Sequence, residues 1–486
     1  MIDLKALREN PKHFIDGAAK KGVRVDIETV LKLDEERRAL QTKRQGLAAE
    51  QGQIEKSVGP QLGKLSGELK KATDPATKAA VEAQIAELKA KPAAIKAQVQ
   101  ALEEQERAIE PKLHAMLLAI PLPPDSDVPV GKGSEDNVEV RKWGPVGWDY
   151  AKGFEAVKGF KPKSHIELCR DLGLVDFPRG VKMSGTRSYV LTGMGMLLHQ
   201  AILRYAVDFM VHKNGFKAMS VPVLVREECM IGTGFFPAGR EQAYHINESV
   251  RQNADGEANT AHDLYLTGTG EVGLMGVHQD EILDESQLPL KYVTVSTCFR
   301  REAGAAGKDT AGLYRVHVFD KVEQVVICKN DEKTSREWHK TMLGYVESLL
   351  QSLELPYRLL QCCTGDLGVK NADMIDVECW MPGRVQTGFN LAKGGAFEVP
   401  DSGFGETHSA SRLYDYQCRR LNMRYKSSDP AVKHTVFCHS LNNTVAASPR
   451  LMIPILEMHQ QKDGTVKMPA ALRPYMGGVE VIVPEK

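Results

Sequence analysis

The sequence predicts an α+β protein in two domains: a helical-hairpin arm over residues 1–120, then a strand-containing domain over residues 121–486. Three observations carry that expectation. Apolar residues keep a heptad spacing from Leu33 to Met116, with one break. Two alternating, β-branched runs, Tyr292–Phe299 and Tyr314–Cys328, flank a loop rich in glycine and alanine. A chain of 486 residues is also too long for one ordinary core.

Residues 1–26 read as a small helical cap. Leu33, Leu40, Leu47 and Ile54 then recur every seven residues. Thr73-Asp74-Pro75 breaks the helix. Val81, Ile85, Leu88, Ile95, Val99, Leu102, Ile109, Leu113 and Met116 resume the seam. Two helices joined by a turn make an antiparallel arm, although the same seam would also serve a dimerisation coiled coil. Pro92 and Glu106 stand where the seam expects apolar side chains. Pro92 also removes a helix hydrogen bond, which predicts a kink or break there.

Pro121-Leu-Pro-Pro124 ends the arm as a linker, and Val128–Asn137 reads as loop. Ser164-His165-Ile166-Glu167 opens a helix. Thr192–Lys213 is helical, with Met196, Leu197, Ile202, Leu203, Val207 and Met210 apolar, and Met219–Leu224, containing Pro222, is extended. Leu264–Glu271, LYLTGTGE, precedes the paired runs. Asp376–Pro382 reads as a strand, Glu406–Ser409 opens the next segment, and Asp415 starts a helix. The last element is a strand from Ser440, then a helix over Leu451–Gln461 with Arg450 near its start. A helix N-terminus beside an arginine makes an anion site.

Lysine plus arginine and aspartate plus glutamate both number 63, so any nucleic-acid contact must come from a local basic patch. The nine cysteines are scattered without a CxxC pair, the usage of a reducing cytosol, so a cytoplasmic location is expected. Cys362-Cys363 is too close for a zinc knuckle or an easy disulfide. The opening MIDLKALRENPKHF lacks an apolar signal core. No run approaches the ~18 apolar residues of a membrane span, so no membrane partner is expected.

The charges on the paired runs point to a ligand. Arg300, Arg301, Glu302, Arg315 and Glu323 alternate with apolar residues on strands that otherwise read as buried. Buried charge is costly unless it is paired or turned on a ligand. An edge hairpin with solvated charges would account for one such pair. Two arginines at opposite ends of a glycine-rich loop carrying Lys308 and Asp309 suit a polyphosphate better.

Phe299-Arg-x-Glu302, a loop, then Arg315-x-His-x-Phe319 resembles motif 2 of the class II aminoacyl-tRNA synthetases. The loop wording EAGAAGKDTAGLYRVH is similar to that of the seryl-tRNA synthetases. The Thr192–Lys213 helix with its proline-containing strand resembles motif 1, and Ser440–Arg450 with the following helix resembles motif 3. The stretch ILEMHQQKDGTVKMPAALRPYMGG is similar to that family's closing segment. The resemblance covers nearly the whole chain. It implies a tRNA-binding coiled-coil arm and a catalytic domain built on an antiparallel sheet flanked by helices. It also implies a homodimer joined through motif 1. The implied reaction joins serine to ATP as seryl-adenylate and then passes serine to the 3′ end of tRNA(Ser). Whether tRNA(Sec) is also a substrate stays open.

By the same resemblance, Arg300 and Arg450 are catalytic. ATP contacts are expected from Arg300, Arg301, Glu302, Arg315, Val316, His317, Val318, Phe319, Glu406, Thr407, His408, Ser409 and Arg450. Arg300 bridges the serine carboxylate and α-phosphate, Glu302 reads the adenine amino group, and Phe319 stacks on the ring. Arg315 and Arg450 hold the outer phosphates. Serine contacts are expected from Thr269, Gly270, Glu271, Arg300, Glu323, Asn442 and Thr444, with Glu323 and Glu271 on the ammonium. Glu406 and Ser409 would hold Mg²⁺, a hard cation that prefers oxygen; a helix N-cap is the plainer role for Ser409.

Three departures from the family pattern stand out. Gly268-Thr269-Gly270-Glu271 replaces the usual Pro-Thr-Ala-Glu, which predicts a mobile, looser pocket wall that admits threonine. Thr407 and His408 depart from Glu-Ile-Ser-Ser, and Val318 stands where the family usually has Gln. Two other functions fit the sequence less well. Amino-acid:carrier-protein ligases lack the arm and use zinc. A non-catalytic paralogue would lose the motif arginines, yet Arg300, Arg315 and Arg450 are present.

Overall fold

The computed structural model describes residues 1–246, 263–303, 311–387 and 403–484. Lys308 and Asp309 lie outside the described residues. The chain divides into two compact units, one of Leu4–Ile15 with Arg24–Ile120 and one of Met1–Asp3, Asp16–Val23 and Pro121–Lys486.

The first unit is dominated by two helices, Ile27–Lys71 and Pro75–Ala119. Asp26 caps the first by accepting the Thr29 N–H, and Asp74 caps the second by accepting that of Thr77, each at 3.0 Å. Such caps stabilise a helix by about 1 kcal/mol each. The seam packs as the heptads predict, with Val81, Ile95, Leu102 and Leu113 buried. Glu106 is accommodated by Arg44, whose Nε lies 3.1 Å away on the facing helix. The break expected at Pro92 is absent, because the helix continues through Pro92 and also through Pro111. Pro92 sits half-buried in the seam between Leu88 and Ile95. Packing along both helices outweighs the one lost hydrogen bond.

The second unit is organised by an eight-stranded sheet. In chain order its strands are β1 Val138–Trp143, β2 Lys217–Met219, β3 Leu290–Phe299, β4 Val318–Cys328, β5 Tyr357–Gln361, β6 Asp373–Trp380, β7 Phe404–Tyr414 and β8 His439–Ser448. Their spatial order is β1-β5-β6-β7-β8-β4-β3-β2, antiparallel throughout except for β2 beside β3. Helices Gly193–Asp208 and Glu332–Ser352 supply Ile202, Ala206, Val346 and Leu350 to a core shared with Val322, Val326, Leu441 and Val445.

Several expected boundaries move. The second run of the hairpin becomes strand only at Val318, and Tyr314–His317 approach it as irregular chain. The 192–213 helix ends at Asp208 and closes with a π-turn over Phe209–Lys213. Its following strand is only Lys217–Met219, and Pro222, which has no N–H to donate, lies outside it.

Candidate active site

The hairpin β3–β4 brings the two ends of motif 2 together. Val318 pairs with Phe299, and the Arg300 N–H donates to the His317 carbonyl at 2.9 Å. His317 closes the same corner, its Nδ1 lying 2.9 Å from the Arg300 carbonyl. Arg300 thus starts from a fixed backbone. Its Nε donates to the Gly268 carbonyl at 3.2 Å, and its guanidinium lies 5.2 Å from the centroid of the Phe319 ring. Glu302 has φ +53°, a conformation that costs a non-glycine residue about 1–3 kcal/mol and therefore clusters at functional sites. Its carboxylate accepts from Arg315 Nη1 at 2.9 Å. Buried Nε of Arg315 has no hydrogen-bond partner among the described residues.

Two cavities share Arg300 and Glu302. One of about 540 Å³ runs past Phe235, Gln242 and Gly268. The other, about 50 Å³, is lined by Phe319, Lys321, Glu406, Thr444 and Arg450. Arg450 follows β8. Its Nε donates to the Tyr314 carbonyl at 2.9 Å and its Nη1 to the Glu406 carbonyl at 3.1 Å. The Tyr314 ring carries two guanidiniums, Arg384 at 4.1 Å and Arg450 at 4.5 Å from its centroid. Burial raises the Tyr314 hydroxyl above its ordinary value, so the ring presents a neutral face to both cations.

The residues expected to hold serine form one buried polar cluster. Glu323 is fully buried; Asn442 Nδ2 donates to it at 3.1 Å and Thr444 Oγ1 at 3.5 Å. Glu271 accepts from Gln417 at 2.6 Å and from Asn442 at 3.0 Å. Both carboxylates are already paired with lysines. Lys321 pairs with Glu323 and donates to Thr269 Oγ1 at 2.8 Å, while Lys370 lies 2.6 Å from Glu271. Neither lysine was expected from the sequence. Lys321 left a signal, since it stands two residues before Glu323 on a strand and so shares its face. Lys370 comes from a loop, where no periodicity marks it.

Gly270 has no room for a side chain. A Cβ there would stand 2.5 Å from Thr294 Cγ2 and 3.0 Å from Ser296 Oγ. Gly270 is glycine because β3 packs onto its Cα, and the Thr294 methyl fills the space. At Gly268 a Cβ would meet Arg300 Cγ at 3.4 Å, an ordinary contact.

Glu406 and Ser409, three residues apart, would face opposite ways on a regular strand. A bulge changes that. Glu378 pairs with Glu406 and Val377 with His408, leaving Thr407 as the extra residue. Glu406 and Ser409 therefore share a face with Glu378 and Asp376, and Ser409 is in mid-strand, not at a helix cap. Burial, then the nearby Glu406 carboxylate, pushes the Asp376 carboxyl well above its usual range. Its Oδ1 has no hydrogen-bond partner among the described residues.

Some expected contacts are not brought into the site. His408 is buried on the far side of β7, between Thr407 Oγ1 at 2.8 Å and the Val445 carbonyl at 3.1 Å. Thr407 is buried and donates to the Val377 carbonyl at 3.1 Å, but unlike His408 it lines the smaller cavity. The Arg301 and Val318 side chains are exposed. Val316 is buried and lines the smaller cavity.

Family comparison agrees with this geometry. The seryl-tRNA synthetase N-terminal domain matches residues 1–124, and the class II tRNA synthetase core domain (G, H, P, S and T) matches residues 254–459. A serine–tRNA ligase of Deinococcus radiodurans is 37% identical, with 99% of each chain covered. One from Caldicellulosiruptor bescii is 39% identical, covering 98% of this chain and 99% of its own. Seryl-tRNA synthetase from Pyrococcus horikoshii, solved in complex with ATP, superposes with a TM-score of 0.80 at 35% identity, and 100% of each chain is covered. The full-length match, arm included, disfavours a carrier-protein ligase. The chain belongs to the seryl-tRNA synthetases, the serine–tRNA ligases of class II.

Proposed function

We propose that this chain activates L-serine with ATP and transfers it to tRNA(Ser) through the residues gathered around Arg300. The observation that carries the reading is the junction of two chemistries at that residue. On one side lies a buried polar pocket bounded by Thr269, Glu323 and Thr444, its two carboxylates paired with lysines. On the other lie Arg315, Arg384 and Arg450. A serine carboxylate and an α-phosphate meeting at Arg300 would be held together against their mutual repulsion. The carboxylate oxygen attacks the α-phosphorus, a new P–O bond forms, and the bond to pyrophosphate breaks. No protein nucleophile is needed. The serine ammonium would displace Lys321 from Glu323, and Thr444 would meet the hydroxyl. Phe319 would face the adenine.

Glu406 and Ser409 fit a hard cation. They share a face, Glu406 is 46% exposed, and Asp376 leaves one carboxylate oxygen unsatisfied beside them. Mg²⁺ bound there would screen the charge of the phosphates. The Pyrococcus enzyme was solved with ATP, and a Naegleria fowleri relative, 29% identical with a TM-score of 0.76, with AMP. The same reading takes the arm, residues 1–120, as the tRNA-binding domain and residues 121–486 as the catalytic one. It includes a homodimer through the helix bearing exposed Met196 and Leu197 (43% and 50%) and a cytoplasmic location. No helix among the described residues is long and apolar enough to cross a membrane. Pyrophosphate exchange over candidate amino acids, with and without tRNA, tests the reaction. Exchange driven by another amino acid and not by serine, or dependent on tRNA, would overturn it.

A further inference from the structure

The geometry points to His165 and Glu457 as a positioning pair for the phosphate side of the site. The inference rests on the proposed reaction for its kinetic readout, and on contacts alone for its structure. Glu457 is fully buried, and both its oxygens are used. Oε1 accepts the His165 backbone N–H at 2.7 Å and lies 2.9 Å from His165 Nδ1. Oε2 accepts the Gly383 N–H at 2.7 Å. A buried carboxylate persists only when it is saturated in this way.

The carboxylate also decides the tautomer of the imidazole. Nδ1 faces an acceptor and so carries the proton. That leaves the Nε2 lone pair free to accept, and it takes the Leu313 backbone N–H at 3.2 Å. Two glycines let the main chain close on the pair. A Cβ on Gly312, whose φ is +79°, would stand 2.3 Å from Nε2, and one on Gly383 would stand 2.6 Å from Glu457 Oε1.

The three anchored segments are those that carry the phosphate-facing cations. Leu313 precedes Tyr314 and Arg315. Gly383 precedes Arg384. Glu457 lies on the helix Met452–His459 that follows Arg450. Tyr314 then ties the set together, with Arg384 and Arg450 over its ring and its carbonyl accepting from Arg450 Nε. Neither His165 nor Glu457 lines either cavity, so the pair acts through these neighbours and not on substrate. None of its contacts reaches Thr269, Glu323 or Thr444. A core element without this role would not discriminate between the two substrates.

The test uses the full chain with His165→Asn and Glu457→Gln. Asparagine keeps a donor toward Glu457 but cannot accept from Leu313. Glutamine places an amide NH₂ against an N–H. Each variant should raise KM and the calorimetric Kd for ATP by roughly ten-fold, the effect of one lost buried hydrogen bond. KM for serine should stay within about two-fold, the span of ordinary scatter between related variants. Equal changes for both substrates, an unchanged ATP Kd in a folded variant, or failure of both variants to fold would overturn the proposal. Wild-type protein that binds ATP but shows no serine-dependent exchange would sink the reaction instead and leave the ATP Kd comparison standing.

Discussion

Nζ of Lys370 lies 2.6 Å from Glu271 Oε1 and 4.0 Å from the centroid of the Phe235 ring. Glu271 therefore enters the pocket already neutralised. Burial pulls the Lys370 ammonium below its usual value, and the Glu271 charge opposes that. Glu323 is paired likewise, with Lys321, so both carboxylates expected to take the serine ammonium carry a lysine.

Lys370→Met should accordingly destabilise the protein by about 3–5 kcal/mol, because it strands a buried carboxylate. Lys370→Met with Glu271→Gln should recover most of that loss. Chemical denaturation of the two single variants and the double variant measures it. Additive losses would show that the pair is not coupled.

Gly270→Ala should cost about 1–3 kcal/mol through overpacking against Thr294. Adding Thr294→Ser removes the offending methyl and should return much of the stability and the serine KM. Thermal melts and exchange kinetics read both. A neutral single substitution would mean that β3 shifts freely.

Arg300→Ala should lower serine-dependent pyrophosphate exchange by about 100-fold or more while the circular dichroism spectrum is kept, since it removes a charge-assisted contact at the reacting centre. Wild-type exchange in that variant would contradict the placement of the α-phosphate.

His408 gives the pH dependence. Burial lowers its imidazole from the usual value to about 3. Below the unfolded value near 6.5 the unfolded chain binds a proton that the folded chain refuses. Stability is therefore retained above about 6.5 and falls as pH drops toward 3, at up to about 1.4 kcal/mol per pH unit. His408→Gln should flatten that part of the acid limb in urea titrations between pH 6.5 and 4. A parallel limb in the variant would show that His408 protonates in place.

Removing residues 27–118 should leave serine activation intact and abolish charging of tRNA(Ser). Recognition by a projecting arm relies on phosphates and 2′-hydroxyls, so tRNA binding by the full chain should weaken steeply with salt. Charging at the normal rate without the arm would make it a structural coiled coil.

What could be read from the sequence followed from periodicity. The heptad seam and the β3–β4 hairpin are local patterns, and both are present. The unbroken helix at Pro92 is not legible, because the packing on either side that outweighs one lost hydrogen bond comes from the facing helix. The close approach at Gly270 is not legible for a related reason: Thr294, which fills the space, is a neighbour in the fold and not in the chain. Lys370 and Glu271 are 99 residues apart, and no spacing rule links them. His165 and Glu457, 292 apart, were legible only as a helix start and a helix interior.

The bulge at Thr407 has a consequence for how this stretch can tolerate changes in length. Between Glu406 and Ser409 the strand carries one residue more than its neighbour β6. Losing that residue would restore strict alternation with Glu406 and Ser409 still on one face and His408 on the other, since the pairings with Glu378, Val377 and Asp376 would simply become regular. Substitution at Thr407 asks only for a side chain that fits. Deletion asks the strand only to give up its local bend. Glu406 and Ser409 can therefore share their face at either of two spacings, bulged or regular.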